Sequence, residues 1–303
     1  MITFEHPALF YRDVEQYLHG TTGFVRSAVA AGDAVLVAVP GANLTLLRDA
    51  LADLTGKVTF ADMAVAGRNP GRIIPGVLLA FAAAHPGRRV SILGEQVWPA
   101  RSAVEYPACV THEALTNTAF CGRDAVVLCP YDARRLHRER LDDALRTHPV
   151  MIVDEVRRES HWYADPLVTV ARHNEPLPPV PAGAVTMNYA GPADLREVRR
   201  FVTRSAGLGA ERLGDLVLAV NELAINTLQH TGGGGTVTVW DSPDYVYAQV
   251  DDRGDLADPM AGRIPPGPDR EDGRGLILVN DLCDLVRVHA RRDGTTIRLH
   301  MAR

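Results

Sequence analysis

Residues 209–230 read "GAERLGDLVLAVNELAINTLQH", and what this stretch becomes decides the fold of the second half of the 303-residue chain. Leu218, Ala219, Leu223, Ala224 and Leu228 recur at helical spacing. Glu222 and Asn226 stand four residues apart and so share one face, which His230 extends by another turn. A carboxylate and an amide on an apolar helix need partners or water, because burying them alone is costly. A merely solvated face is the plain alternative. "GGGG" (232–235) ends the helix.

The flanking segments build a domain around that helix. Upstream, "ADLREVRRFVTRSAG" (193–207) places Leu195, Val198, Phe201 and Val202 at the spacing of an amphipathic helix. Downstream, "TVTVW" (236–240) and "YVYAQVDD" (245–252) read as strands joined by the turn "DSPD". A Gly/Pro-rich stretch follows from Gly254 to Gly273, then a short helix "GLILVNDLC" (275–283) and two closing strands, "LVRVHARR" and "TTIRLHM". Two or three helices on one mixed antiparallel sheet make an α+β sandwich.

Three further pieces bear on chemistry. "VDDRG" (250–254) puts Asp252-x-Gly254 at a strand end, "GRGL" (273–276) puts two glycines at a helix start, and "DGTTIRL" (293–299) puts Thr295 and Thr296 on a late strand. An acid at a strand end can accept an adenine amino group. Glycine-lined backbone at a helix N-terminus can meet phosphates. An asparagine oxygen is a hard ligand suited to Mg²⁺.

In this order, the pieces resemble the GHKL ATP-binding fold shared by histidine kinases, gyrase-like ATPases and anti-sigma-factor serine kinases, over about 190–303. The compact form is most similar to the anti-sigma kinase branch. The resemblance implies a Bergerat-type sandwich with ATP and Mg²⁺ as cofactors. It implies that Asn226 binds Mg²⁺, that Glu222 orients or activates a nucleophile, and that His230 lies on the same nucleotide-binding face. Asp252 would hold adenine, with Thr296 nearby through water, and Gly254, Gly273 and Gly275 would shape the pocket and lid. The family's acidic loop usually reads Asp-x-Gly-x-Gly; here Leu256 replaces the last glycine.

The boundary upstream is "HNEPLPPVPAG" (173–183), where Pro176, Pro178, Pro179 and Pro181 exclude a helix or a central strand and favour a semi-rigid spacer. The expected organisation is a sensory domain over 1–172, a linker over 173–185 and an ATP-binding domain over 186–303.

The N-terminal half alternates apolar runs with helical patterns. "AVLVAVP" (34–40), "VSILGE" (90–95), "AVVLCPYD" (125–132) and "PVMIVD" (149–154) read as buried strands, and "NLTLLRDAL" (43–51) as a helix. That alternation predicts a parallel α/β sheet covered on both faces. Ligands in such sheets bind beyond the carboxyl ends of the strands, here around Pro40–Asn43, Gly94–Trp98 and Pro130–Asp132. The first of these lacks the Gly-Lys-Ser/Thr of a phosphate loop. Five stretches, "ADMAVAGRNPGRIIPG" (61–76), "GEQVWPARS" (94–102), "EYPACVTHEALTNTAF" (105–120), "LCPYD" (128–132) and "THP" (147–149), together resemble the MEDS sensory domain over about 5–165. The resemblance implies a RecA-like α/β fold that senses a small hydrocarbon derivative. Candidate ligand contacts are Glu95, Trp98, His112, Glu113, Asn117 and Tyr131, with buried, mutually satisfied polar groups as the equal alternative.

"THEALTNTAF" (111–120) also resembles the phosphoacceptor box of a sensor histidine kinase, with His112 as the acceptor. Such a box needs two long antiparallel helices joined directly to the ATPase domain. Pro107 confines the helix start, and a strand follows Phe120 instead of a second helix, so His112 is read as part of a sensor-domain helix.

Composition sets the remaining bounds. The chain is 46% hydrophobic and 23% charged, with a formal net charge of −5, so nucleic acid is not an expected partner, and no helix-turn-helix motif is evident. "MITFEHPALFYRD" does not read as a signal peptide, and no apolar run suits a membrane helix, so the expected location is the cytoplasm without a membrane partner. Cys109, Cys121, Cys129 and Cys283 lack metal-ligand or disulfide spacing and read as buried reduced thiols.

The leading expectation is a signalling regulator. A ligand-sensing domain controls an ATP-binding domain that phosphorylates Ser/Thr on an anti-sigma-factor antagonist or binds a sigma factor. The alternatives are a non-catalytic ATP-binding module that sequesters its partner, and an orphan histidine-kinase-like protein. Oligomeric state, a homodimer included, is left open.

Overall fold

Apolar runs become strands where both faces are covered. The computed structural model describes residues 3–267 and 273–303, so residues 268–272 of the Gly/Pro-rich stretch and the first two residues of the N-terminal segment lie outside the described residues. The chain divides into two compact units, one of residues 1–68 and 76–173, the other of residues 69–75 and 174–303.

The first unit contains β1 (Phe4–Glu5), β2 (Pro7–Tyr11), α1 (Val14–Ala30), β3 (Ala34–Val39), α2 (Gly41–Ala50), β4 (Val58–Asp62) and α3 (Met63–Ala66). The chain then passes through α4 (Pro70–Arg72), which belongs to the second unit, and returns at α5 (Ala80–Ala83). β5 (Val90–Gly94), α6 (Tyr106–Ala119), β6 (Ala125–Asp132), α7 (Arg138–Thr147), β7 (Val150–Val153), β8 (Val156–Glu159) and α8 (Pro166–Arg172) complete it. The strands pair in the order β4-β3-β5-β6-β2-β7-β8, with β1 beside β6. All pairings are parallel except β7 with β8. Every residue of β3, β5 and β6 is buried, as a sheet covered on both faces requires. On α1 the buried face is Tyr17, Thr21, Val25 and Ala28, and Asp13 caps its start by accepting from Gln16 N.

The second unit contains β9 (Val185–Tyr189), α9 (Leu195–Ser205), α10 (Ala210–His230), β10 (Gly235–Asp241), β11 (Tyr245–Asp252), α11 (Gly275–Leu282), β12 (Leu285–Arg291) and β13 (Gly294–Ala302). Its sheet is wholly antiparallel, in the order β12-β13-β11-β10-β9. Val198 and Val202 of α9, Leu216, Val220 and Leu223 of α10, and Val279 of α11 bury against Val237, Val239, Ala248 and Leu299 of the sheet. Each large aliphatic side chain so buried contributes about 1.5–3 kcal/mol before entropy is counted. Gly232 follows the helix end with φ 67°, the left-handed conformation that stops α10 and turns the chain into β10.

Two expectations need correction. The proline-rich stretch, expected as a semi-rigid spacer, is packed within the second unit. From Asn174 onward it belongs to the second unit, where Asn174 exchanges two hydrogen bonds with the Ala290 backbone (2.6 and 3.0 Å) and Arg298 donates to Pro178 O (2.7 Å). Residues 185–189, assigned in part to the linker, form the edge strand β9. The cysteine reading also fails at one position: Cys121 is exposed, because it follows α6 in the turn before β6, whereas Cys109, Cys129 and Cys283 are buried and unbridged.

Candidate functional site

The geometry around α10 starts from its periodicity. Leu216, Ala219, Val220, Leu223, Ala224 and Thr227 are buried, which turns Glu222 and Asn226 toward the half-buried side. That side meets the start of α11. A Cβ placed on Gly275 would lie 3.0 Å from Glu222 Oε2 and 3.4 Å from both side-chain polar atoms of Asn226. The glycine therefore leaves a carboxylate and an amide grouped beside a helix N-terminus with no side chain between them. His230 is exposed one turn beyond Asn226.

Asp252, the last residue of β11, is held at both oxygens. Thr227 Oγ1 donates to Oδ2 and Gly254 N donates to Oδ1, each at 2.8 Å. A Cβ on Gly254 would lie 2.6 Å from Thr231 Cγ2, so this turn also needs its glycine. Tyr189 of β9 lies against Thr227, and burial pushes its phenol up to about 12. Gly273 precedes α11 with φ 89°. Between β11 and α11, Arg263 has its Nη1 buried with no hydrogen-bond partner among the described residues, and burial lowers its guanidinium to about 10.

The β11–β13 register corrects the threonine reading. Thr295 is paired with Asp252, and Thr296 with Asp251. Directly paired residues share a sheet face and neighbours alternate, so Thr295 is on the side of Asp252 and Thr296 is on the opposite side. Thr295 Oγ1 donates to Gly254 O (2.8 Å), while Thr296 Oγ1 donates to Asp251 Oδ1 (2.6 Å). Thr296 thus belongs to a polar row with Gln249 and Arg298, on the face opposite Asp252.

The candidate sensor residues of the first unit fall into separate settings. Glu95 accepts from Asn43 Nδ2 (2.8 Å) and Tyr17 OH (3.3 Å), and burial raises its carboxyl to about 7. Trp98 carries the Arg101 guanidinium 3.9 Å above its ring, and Arg101 in turn donates to Gly67 O and Gln96 O. Glu113 and Asn117, with Tyr131 beside them, face His6, Cys129 and His148 inside the unit. His112 has no exposed surface, so it is no accessible phosphoacceptor. α6 is one helix of 14 residues followed by β6, not half of a helical hairpin.

Residues 5–149 match the family model described as MEDS, the methanogen/methylotroph DcmR sensory domain. Residues 189–301 match the histidine kinase-like ATPase domain. The chain therefore joins a MEDS segment to a histidine kinase-like ATPase segment, in the order its motifs imply. No curated protein matches it. Among solved structures it is similar to the RsbU and RsbW domains of Rv1364c from Mycobacterium tuberculosis, at 21% identity and a TM-score of 0.31. That match covers 41% of this chain and 34% of the other, so the chain spans about a third of that structure's length. No helix among the described residues is long and apolar enough to cross a membrane.

Sequence reasoning passed over Thr227, Thr295 and Tyr189 around Asp252. Thr227 directly follows Asn226, and helical geometry alone could have shown it turned toward the sheet. In the MEDS segment, His6, Cys129 and His148 were missed; "LCPYD" and "THP" had been noted, but without roles for their Cys and His.

Proposed function

We propose that the chain is a cytoplasmic signalling regulator in which the MEDS segment senses a small molecule and the ATPase-like segment binds ATP–Mg²⁺ and acts as an anti-sigma-factor-type serine/threonine protein kinase. In this reading the first unit is a RecA-like sheet and the second a GHKL sandwich, the domains running over 1–172 and 186–303 around the proline-rich stretch. The observation that carries it is Asp252. Its two oxygens are each fixed by one donor, Thr227 and Gly254 N–H, which leaves further lone pairs on a preoriented carboxylate at a strand end. Those lone pairs would accept the adenine amino group. Thr295 braces the same turn through Gly254 O.

The donors present fit the rest of the nucleotide. The space kept open by Gly275 adjoins Glu222 and Asn226, the carboxylate and amide oxygen that a hydroxyl nucleophile and a Mg²⁺ ion require. Asn226 would hold the ion through its amide oxygen. Mg²⁺ would neutralise charge developing on the transferred phosphoryl group. Glu222 would orient the attacking hydroxyl and accept its proton. Arg263, whose Nη1 has no hydrogen-bond partner among the described residues, supplies a cation on the connecting segment suited to a phosphate oxygen. The partner would be an anti-sigma-factor antagonist carrying the acceptor Ser/Thr, or a sigma factor held in complex.

One observation favours a second reading, an ATP-dependent partner-holding module without transfer. Leu256 stands where the family's loop has glycine, which stiffens the turn after Gly254. The two readings separate when the full chain is incubated with γ-labelled ATP, Mg²⁺ and candidate antagonist proteins. Acid-stable label on an antagonist, lost in Glu222→Gln, supports the kinase. ATP binding without any label supports the module. Acid-labile label on the chain itself, lost in His112→Ala, overturns both.

A further inference from the structure

Four side chains from four separate elements converge inside the first unit. They are His6 between β1 and β2, Glu113 on α6, Cys129 on β6 and His148 between α7 and β7. Each is at most 2% exposed. Glu113 Oε2 lies 3.4 Å from His6 Nε2, 3.4 Å from His148 Nε2 and 3.6 Å from Cys129 Sγ, and Cys129 Sγ lies 3.4 Å from His6 Nε2. Zinc bonds to N and O of about 2.0–2.1 Å and to S of about 2.3 Å, set tetrahedrally, place the donors about 3.3–3.6 Å apart. Four of the six edges match that figure, and all four donor atoms lie within 4.8 Å of one another.

The surrounding hydrogen bonds aim the donors inward. His148 Nδ1 faces Ala144 O at 2.9 Å, and a carbonyl can only accept, so Nδ1 carries the proton and Nε2 presents a lone pair to the cluster. That Nε2 is fully buried and lies 3.4 Å from Glu113 Oε2. His6 Nδ1 faces Asn117 Oδ1 at 3.2 Å, and the Asn117 amide is oriented by donating to Thr147 O at 2.8 Å. The His6 Nε2 is thereby turned to the cluster in the same way. The other oxygen of Glu113, Oε1, is taken up when the Gln96 amide nitrogen faces it at 3.1 Å and Gly94 O at 2.8 Å. Inward-facing imidazole nitrogens fixed by outer acceptors are the usual support of a metal site.

Charge gives an independent reason. A thiolate and a carboxylate together carry the charge that one divalent cation cancels, and a neutral set is what a dry interior tolerates.

We infer that His6, Glu113, Cys129 and His148 bind one divalent transition-metal ion, with zinc as the occupant, in a closed four-ligand site at the heart of the MEDS segment. Four protein ligands leave no position for a water nucleophile, so the ion holds the β1–β2 start, α6, β6 and the α7–β7 turn together rather than performing hydrolysis. Asn117 and Gln96 act as positioning residues.

The full chain, purified without metal-affinity steps, is analysed for bound elements. A metal-free sample, grown in zinc-depleted medium, is then titrated with Co²⁺. The expected result is about one zinc per chain and, with Co²⁺, tetrahedral d–d absorption plus a sulfur-to-cobalt charge-transfer band that saturates at about one equivalent. Cys129→Ser loses the charge-transfer band, and His148→Ala weakens binding at least about tenfold. Two results overturn the inference: wild-type protein, folded by circular dichroism, that carries no metal and gives no d–d absorption; or metal content and Co²⁺ spectra unchanged in both variants. Because the wild-type measurements decide the matter alone, a variant that fails to fold does not shelter it.

Discussion

α6 and α10 each carry a Glu-x-x-x-Asn pair, Glu113–Asn117 on the first and Glu222–Asn226 on the second, and the two pairs live in opposite surroundings. On α6 the glutamate is buried, and burial alone would raise its carboxyl. The imidazoles of His148 and His6, each 3.4 Å from its Oε2, outweigh that and hold it below the usual carboxylate range. The asparagine's amide is committed to backbone carbonyls and to His6. On α10 both residues are half-buried, and the neighbouring position is a glycine that keeps the space in front of them clear. One spacing thus serves two purposes. Enclosure makes the first pair part of a packed polar core, and an adjoining gap leaves the second accessible.

The sharpest way to break this contrast is to neutralise the α10 carboxylate. Glu222→Gln should lower phosphoryl transfer to the antagonist by about 10²–10⁴-fold, with ATP affinity changed little. Steady-state labelling beside calorimetry reads both quantities, and an equal loss in both would remove Glu222 from the transfer step. The matching change on α6 should act on stability instead. Glu113→Ala strips the shared partner from two buried imidazoles and a thiol, and should cost about 3 kcal/mol in denaturant unfolding of the first unit. A loss within experimental error would show the cluster to be loosely packed.

A third carboxylate sharpens the role of enclosure. Glu95 is as buried as Glu113 but has no imidazole beside it, and burial raises its carboxyl from 4.5 to about 7, against the hydrogen bonds from Asn43 and Tyr17. Its folded-state value lies above its unfolded one, so the folded state binds the proton more tightly. The stabilisation is complete below pH 4.5 and is lost as the pH rises through about 7, amounting to about 3 kcal/mol over that window. Glu95→Gln should flatten that part of the stability profile, and an unchanged slope would assign it to other groups. The smallest expected effect concerns the sheet register. Thr295→Ala should weaken ATP binding by about tenfold or less, through loss of one hydrogen bond bracing the Gly254 turn, whereas Thr296→Ala should leave it unchanged. Reversed outcomes would contradict the β11–β13 pairing.

Much of the fold was legible because its signals are local. β3, β5 and β6 are unbroken apolar runs, and α9 and α10 keep strict helical spacing. β9 was lost because its burial pattern is mostly exposed and it follows the prolines that mark the linker. β4 was lost because only Val58 is buried in it. Among the candidate residues of the second unit, Glu222, Asn226 and Asp252 could be proposed from motif order, but the choice between Thr295 and Thr296 could not. Adjacent identical residues differ only in which sheet face they occupy, and pairing sets that. The four-residue cluster was invisible for a stronger reason. Its members come from positions 6, 113, 129 and 148, so no short spacing records them, and cysteine spacing pointed away from metal.

Calorimetry of ATP–Mg²⁺ binding tests the central claim most directly. Wild-type protein should bind one nucleotide per chain. Asp252→Ala, which removes the acid that Thr227 and Gly254 hold in place, should lose at least about a hundredfold in affinity while remaining folded. Absence of binding in the wild type, or equal binding in the two proteins, would contradict it.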